Sequence, residues 1–303
     1  MNGMISNLSE VAYLRRYTLT DGNERGVEVI DCDNGKIRFM LNVTSALDIM
    51  QLWHEGSNVA FISKNGFSVK RTGFPARFEG GMLYTCGLDS IGGRDGFETH
   101  GSLHEKIATV TRAECSEDGI TVEGYVRDSE LFGKNLLLNR KITTALGSDS
   151  VTLEDTIINE GARVENYCVL YHVNLGYPMI DDSTHIEGEI KYCQPRTEYA
   201  ETCIAAATRI ETPLPCREET VYYLTLAKPE ISVVNENLGK TFTLSYSGED
   251  LTDFIEWKSM ACGDFALGLE PCTSRLDESF SYKSIPIGDK RINTLTLTVK
   301  GKK

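Results

Sequence analysis

The sequence predicts an all-β protein built of antiparallel sheets, and three observations support that reading. Five runs, Lys36–Val43, Gly119–Val126, Val151–Ile158, Thr241–Tyr246 and Asn293–Val299, alternate apolar and polar residues with period two, the spacing of strands that bury one face. Between such runs lie short turn signals, Asp33-Asn34-Gly35, Glu117-Asp118-Gly119, Gly147-Ser148-Asp149 and Asn159-Glu160-Gly161, which join antiparallel neighbours. There is no long stretch of period 3.6 and no strand-helix-strand alternation of the kind a parallel sheet needs.

Taken in order, Asn7–Arg16 reads as a short helix capped by Asn7 or Ser9, and Ser45–His54 has room for another helical turn. Gly87–Gly96 reads as a glycine-rich loop, Tyr167–Asn174 as an apolar strand ended by Gly176 and Pro178, and Pro213–Glu219 as a loop. Phe265–Glu270 is a small, apolar strand expected to stop at Pro271, because proline cannot donate to a central ladder. In the last strand Leu295, Leu297 and Val299 share one face and Thr294, Thr296 and Thr298 the other. With 303 residues, 41% hydrophobic, the chain can bury a large core, and a single domain over residues 1–303 is expected.

A net charge of −13 argues against a nucleic-acid surface, which needs clustered Lys and Arg. No run of eighteen apolar residues and no basic-then-apolar leader occurs, so no membrane span and no export are expected. The nine cysteines (32, 86, 115, 168, 193, 203, 216, 262 and 272) contain no C-x-x-C pair and fall partly inside apolar runs. Free thiols in a reducing cytoplasm fit that pattern better than a disulfide framework.

Candidate chemistry gathers around a few side chains. If Tyr167–Asn174 is a strand, Cys168, Leu170, His172 and Asn174 share one side, which aims an imidazole and an amide at one place. By itself His172 is either a satisfied core histidine or a catalytic one. Glu270 ends an apolar run, and a carboxylate there is either a surface strand end or a buried working group. Together the two make a general acid and a general base. His100 and His104 follow the glycine-rich loop, where binding residues are often carried; Gly101 between them makes a helical zinc pair a poor reading. His54 and His185 read as structural.

Tyr171-His172-Val173-Asn174-Leu175-Gly176-Tyr177-Pro178 resembles the acid-bearing strand of galactose mutarotase-like proteins, and Leu267-Gly268-Leu269-Glu270-Pro271 their base-bearing strand. The closer resemblance is to the aldose 1-epimerase-like branch DUF4432. Ala46-Leu47-Asp48-Ile49 is similar to that branch's R-G-x-D-I segment, Thr85-Cys86-Gly87-Leu88 to its T-C-G-L turn, and His100-Gly101 to its L-H-G segment; Glu256-Trp257-Lys258 also matches. The similarity runs in order from about residue 36 to the C-terminus.

This resemblance implies a β-supersandwich and a cytoplasmic isomerase of the aldose 1-epimerase type, monomeric or homodimeric, acting on a small sugar or sugar derivative with no metal or other cofactor. His172 is then the acid that protonates the ring oxygen and Glu270 the base that takes the proton of the anomeric hydroxyl. His100 contacts a hydroxyl or polarises the ring oxygen, Asn174 holds His172 or the ligand, and Trp257 offers a stacking face. Lys258 and Asp48 complete the implied substrate-binding set. Asp48, Asp89 and Glu256 are the acids available to keep His172 protonated. Two departures bear on the substrate: Ser45-Ala46 stands where the branch has Arg-Gly, and Ser102 where it has Arg. Arg94, Arg196 and Arg275 can restore a guanidinium from other loops. Two further readings stand beside the isomerase: a non-catalytic sugar-binding protein on the same fold, and a lyase or glycosidase, which needs a second carboxylate near Glu270.

Overall fold

A computed structural model of the protein describes residues 3–69, 73–94 and 96–301; of the glycine-rich stretch 87–96, Asp95 lies outside them. The first sheet is a meander of β1 (Tyr13–Thr18), β2 (Glu28–Asp33), β3 (Ile37–Asn42), β4 (Asp48–His54) and β5 (Ser57–Asn58). A helical turn, α1 (Phe74–Arg77), then precedes β6 (Leu83–Leu88), β7 (Thr109–Ser116), β8 (Gly119–Ser129), β9 (Asn135–Thr144), β10 (Ser150–Asn159) and β11 (Glu165–Leu175). Next come β12 (Thr184–Glu187), β13 (Ile190–Pro195), the short helix α2 (Glu198–Thr202), β14 (Thr220–Leu226), β15 (Glu230–Asn235) and β16 (Lys240–Gly248). The chain closes with β17 (Asp253–Ala261), β18 (Asp264–Cys272), β19 (Lys283–Ile285) and β20 (Lys290–Gly301). The second sheet has the order β12-β15-β16-β20-β10-β9-β8-β7, and the third β13-β14-β17-β18-β11-β19 with β6 also on β11.

The period-two runs become strands for the reason expected. Val122 and Val126 of β8, Leu153 and Ile157 of β10, and Leu295, Leu297 and Val299 of β20 enter one continuous core that also takes in Phe39, Leu41 and Leu52 of the first sheet and Tyr171 and Val173 of the third. The polar faces form hydroxyl ladders, with Thr152 Oγ1 3.2 Å from Thr296 Oγ1 and Ser150 Oγ 2.8 Å from Thr298 Oγ1. β11 differs, since every residue but Asn166 is buried; an apolar run covered on both faces reads as unbroken rather than alternating. All nine cysteines are unpaired. No helix among the described residues is long and apolar enough to cross a membrane.

Three local expectations are corrected. Asn7 caps only a 3₁₀ turn, Leu8–Glu10, through its side-chain oxygen and Ser9 N; from Tyr13 the chain pairs with β2, where the ladder outweighs a weak helical propensity. Ser45–His54 holds no helical turn: after a bend in which Ala46 and Leu47 take φ of 52° and 58°, it becomes β4. Finally, β18 does not stop at Pro271, which pairs with Phe254 of β17. On its other side, the pairing of β18 with β11 is interrupted between Leu170–Cys272 and Val173–Leu269; that gap accommodates a residue with no N–H.

A buried polar network ties the sheets together. Arg140, fully buried in β9, donates to Asp155 Oδ1 and Oδ2 (both 2.8 Å), Asp48 Oδ1 (2.5 Å), Ala46 O (3.0 Å) and Thr85 Oγ1 (2.9 Å). The Tyr171 hydroxyl also donates to Asp155, at 2.9 Å. His104 lies 2.6 Å from Asp48 Oδ2 and 3.2 Å from Glu79 Oε1. Burial opposes the charge on His104, but these two carboxylates outweigh it and hold the ring's pKa at about 8.

Two outcomes follow. Arg140→Ala leaves Asp155 buried without a cation and Asp48 with His104 alone, and lowers unfolding stability by about 3–5 kcal/mol, measurable by urea denaturation. His104 is the raised-pKa case: its contribution is complete below the ordinary value of 6.5 and disappears as pH rises through about 8. Stability should therefore fall across that window in the parent protein, and His104→Gln should flatten the fall.

Candidate active site

One face of the third sheet assembles the candidate side chains through strand register. His172 of β11 pairs with Tyr84 of β6. Across the other edge of β11, Asn174 lies opposite Gly268 and Val173 opposite Leu269, a register that sets His172 opposite Glu270. β18 in turn places Glu270 beside Ile255, and Gly268 beside Trp257, on β17; Trp257 pairs with Val221 of β14. Alternation thus lays Tyr84, His172, Glu270 and Ile255 in one row, with Asn174, Gly268, Trp257 and Val221 in the next.

A cleft of about 440 Å³ lies over these rows, lined among others by Phe74, Phe78, His100, His172, Arg196, Glu219, Trp257 and Glu270. That volume falls in the range of about 300–1,000 Å³ for small-molecule sites. Aromatic edges frame it: the Phe78 and His172 rings are 5.5 Å apart, and the His100 and Trp257 rings each stand edge-on to His172 at 5.4 Å. Trp257 is fixed by donating Nε1–H to Glu219 Oε2 at 2.7 Å. Gly268 leaves the room for all of this. A Cβ there would lie 2.7 Å from Glu270 Oε1, 2.9 Å from His172 Cε1 and 3.2 Å from Trp257 Cε3.

His172 Nε2 and Glu270 Oε1 are 3.1 Å apart, and the residues are only 3% and 2% exposed. They are close but not aligned as a hydrogen bond, which leaves Glu270 Oε1 buried without a partner; the ring's other nitrogen, His172 Nδ1, is likewise buried without one. Burial disfavours charge on either group. It pushes His172 well below its ordinary pKa, helped by His100 and opposed by the Asn174 amide. It lifts Glu270 well above the usual carboxyl range, reinforced by the Glu219 charge and opposed by Arg196. Both shifts favour the uncharged forms, a protonated Glu270 beside a neutral His172 ring.

His100 sits on a strained loop, with φ of 70°, a backbone region uncommon for residues other than glycine. Its Nδ1 donates to Ile91 O at 3.2 Å. Burial lowers its pKa to about 4, leaving a neutral ring whose Nε2 is an acceptor. Ser102, at the position where arginine was expected, donates its hydroxyl to Asp89 Oδ2 at 2.5 Å and its N–H to Asp89 Oδ1 at 3.0 Å, pinning this loop.

Of the residues singled out from sequence, the structure brings His172, Glu270, His100 and Trp257 to the cleft. Asn174 lies on their face but fully buried and outside the cleft lining. Two are placed elsewhere. Lys258 follows Trp257 and so points to the other face of β17, where Nζ donates to Ala206 O (2.7 Å), Ala207 O (2.6 Å) and Arg209 O (3.3 Å). Asp48 belongs to the Arg140 network. None of the acids considered as partners for His172 serves it: Asp48 is held by Arg140, Asp89 by Ser102, and Glu256 faces Lys258 at 3.3 Å. Among the three arginines, only Arg196 lines the cleft; Arg94 lies over Phe280 and Arg275 over Tyr223.

Sequence reading missed Phe74, Phe78, Glu219 and the role of Gly268. Glu219 closes the Pro213–Glu219 loop, whose composition marks a turn and nothing more. Gly268 did carry a signal, since an isolated glycine inside a strand marks a close approach.

The family model described as a domain of unknown function (DUF4432) matches residues 24–283. No curated protein sequence matches the chain. Among solved structures, a candidate aldose 1-epimerase of Klebsiella pneumoniae superposes with a TM-score of 0.85 at 19% identity, over 95% of this chain and 83% of its own. A galactose mutarotase-like protein of Clostridium acetobutylicum gives 0.72 at 12% identity over 96% and 99%. A candidate mutarotase of Salmonella typhimurium gives 0.69 at 11% identity over 98% and 96%. The fold is thus the galactose mutarotase-like sandwich.

Gly268→Ala tests the packing of the site directly. The added methyl must displace Glu270 or His172, so the variant should lose about 1–3 kcal/mol of stability, the scale of overpacking, and a crystal structure should show the 3.1 Å approach widened. An alanine accommodated with neither change would show that the space is slack.

Proposed function

We propose that this chain, which belongs to the DUF4432 family, is an aldose 1-epimerase-like isomerase that interconverts sugar anomers by general acid-base ring opening and closure. The observation that carries the proposal is the buried pair of His172 and Glu270, 3.1 Å apart at the cleft. Opening a pyranose hemiacetal requires a base at the O1 hydroxyl and an acid at the ring oxygen O5, both held within hydrogen-bond reach of one ring.

The proton count closes. In the charged form of the pair, Glu270 carboxylate takes the proton of O1–H while imidazolium His172 gives its proton to O5, and the C1–O5 bond breaks to leave an aldehyde and a C5 hydroxyl. Glu270 is now a carboxylic acid and His172 a neutral imidazole, the form burial favours. After rotation about C1–C2, the C5 oxygen attacks the other face of C1. Its proton returns to His172 and the Glu270 proton passes to the new O1. No net proton is consumed, and Oε1 and Nε2 are near enough to exchange the shared proton between turnovers.

The cleft walls suit a pyranose. Trp257 offers a ring face, Glu219 has one carboxylate oxygen beyond the one used by Trp257, and Arg196 presents donors. His100, neutral with Nε2 as acceptor, takes a hydroxyl proton in this reading and does not protonate the ring oxygen.

Anomer exchange of several aldoses followed by NMR tests the reading. The parent protein should exceed the spontaneous rate, with a bell-shaped pH dependence whose limits belong to the pair. His172→Ala and Glu270→Gln should each cost about 10²- to 10⁴-fold, and the double variant little more, because the two act as a unit. A protein that binds an aldose yet never outruns spontaneous exchange is a sugar-binding protein, and the isomerase reading fails.

A further inference from the structure

We infer that Asn174 is a positioning residue that fixes the tautomer of His172: its Oδ1 receives the Nδ1–H of the imidazole, so that Nε2 is the nitrogen that exchanges a proton at the reacting sugar. The inference rests on the isomerase reading for its catalytic consequence but not for its structural content.

Hydrogen-bond accounting around the two side chains carries it. Asn174 is fully buried two residues beyond His172 on the same strand face. Its amide nitrogen is committed to two backbone carbonyls, Gly81 O at 3.1 Å and His172 O at 3.0 Å, and those contacts fix which way the amide faces. Its Oδ1 is buried without a hydrogen-bond partner, and so is His172 Nδ1. Buried polar atoms are rarely left unpaired, and a carbonyl oxygen can only accept. Pairing the two orphans requires the proton of a neutral ring on Nδ1, which leaves Nε2 as an acceptor toward Glu270 Oε1, 3.1 Å away. That acceptor is matched only by a protonated Glu270, which the burial of the carboxyl favours. One choice of tautomer thus gives Asn174 Oδ1 a donor and leaves Nε2 an acceptor beside a protonated Glu270, and the opposite choice leaves Asn174 Oδ1 facing a bare ring nitrogen. Of the polar groups near the ring, Nδ1 of His100 is used on Ile91 O, and Arg196 and Glu219 line the cleft wall.

Nitrogen-15 NMR of the histidine rings in the parent protein, free of sugar, reads this without relying on activity. Five histidines are present, and the resonances lost in His172→Gln identify the ring. At neutral pH His172 should show Nδ1 protonated and Nε2 not. Asn174→Ala should abolish the preference for Nδ1–H, and Asn174→Asp, which keeps an acceptor oxygen, should retain it and move the titration of the ring upward. In anomer exchange, Asn174→Ala should lower the maximal rate about 10- to 100-fold, the scale for losing a partner that orients a histidine, with sugar affinity little changed; Asn174→Asp should recover part of the rate with a shifted pH profile. A proton on Nε2 in the parent protein, or a tautomer indifferent to Asn174→Ala, overturns the inference. A protein with the expected tautomer but no anomer exchange would instead overturn the isomerase reading and leave Asn174 in its place.

Discussion

The guanidinium of Arg140 is the point on which the three sheets are hung. It reaches Asp48 in the first sheet, Asp155 in its own, and Thr85 in the third, while Tyr171 of β11 closes the circuit through Asp155. A cation this deep is tolerated only because every neighbour is an acceptor in place, and truncating it exposes the desolvation cost of two acids. The consequence for the site is positional. Tyr171 faces inward to this network and His172, the next residue, must face outward to the cleft. The structural charge and the candidate chemistry therefore occupy opposite faces of one strand.

Desolvation then does opposite things on those two faces. Around Arg140 and His104, charges are kept because each is surrounded by partners, and His104 is held protonated to about pH 8. Around His172 and Glu270, no lysine or arginine makes an ion pair among the described residues, and burial drives both groups toward neutrality. Two nearly neutral, closely spaced titrating groups with unfilled hydrogen-bonding positions are poised to exchange a proton with a polar ligand, whereas a fully paired network only resists change. The interrupted pairing at Pro271 falls at the same step of the sheet. The backbone irregularity, the absent Cβ of Gly268 and Glu270 thus fall within the four residues Gly268–Pro271, opposite His172 of β11.

Much of this was legible in sequence, for reasons that can be named residue by residue. Period-two alternation in Gly119–Val126 or Asn293–Val299 records one-sided burial and so survives as a readable pattern. His172 and Glu270 were picked out because Tyr171–Pro178 and Leu267–Pro271 resemble segments of galactose mutarotase-like proteins; alone, each side chain read as either structural or catalytic. Trp257 was found and Lys258 misplaced from one segment, because a motif match says nothing about which of two adjacent residues faces the cleft. Asp48 was taken for a ligand contact since a buried acid looks alike whether it binds a sugar or Arg140, ninety-two residues away. The helical reading of Asn7–Arg16 failed because a cap signal is local, while pairing with β2 is not.

By itself, then, the sequence determined the class of fold, the strands with one wet face, and the two side chains able to act as acid and base, all of which are written in local order along the chain. Only the tertiary structure decided that Glu219, Arg196, Phe74 and Phe78 share a cleft with them, that Gly268 must lack a side chain, that the Asn174 amide is committed to Gly81 O and His172 O, and which acids are structural. Those facts depend on register between strands a hundred residues apart and on burial, which sets the protonation of a group through its surroundings. Neither register nor burial is encoded in any single segment.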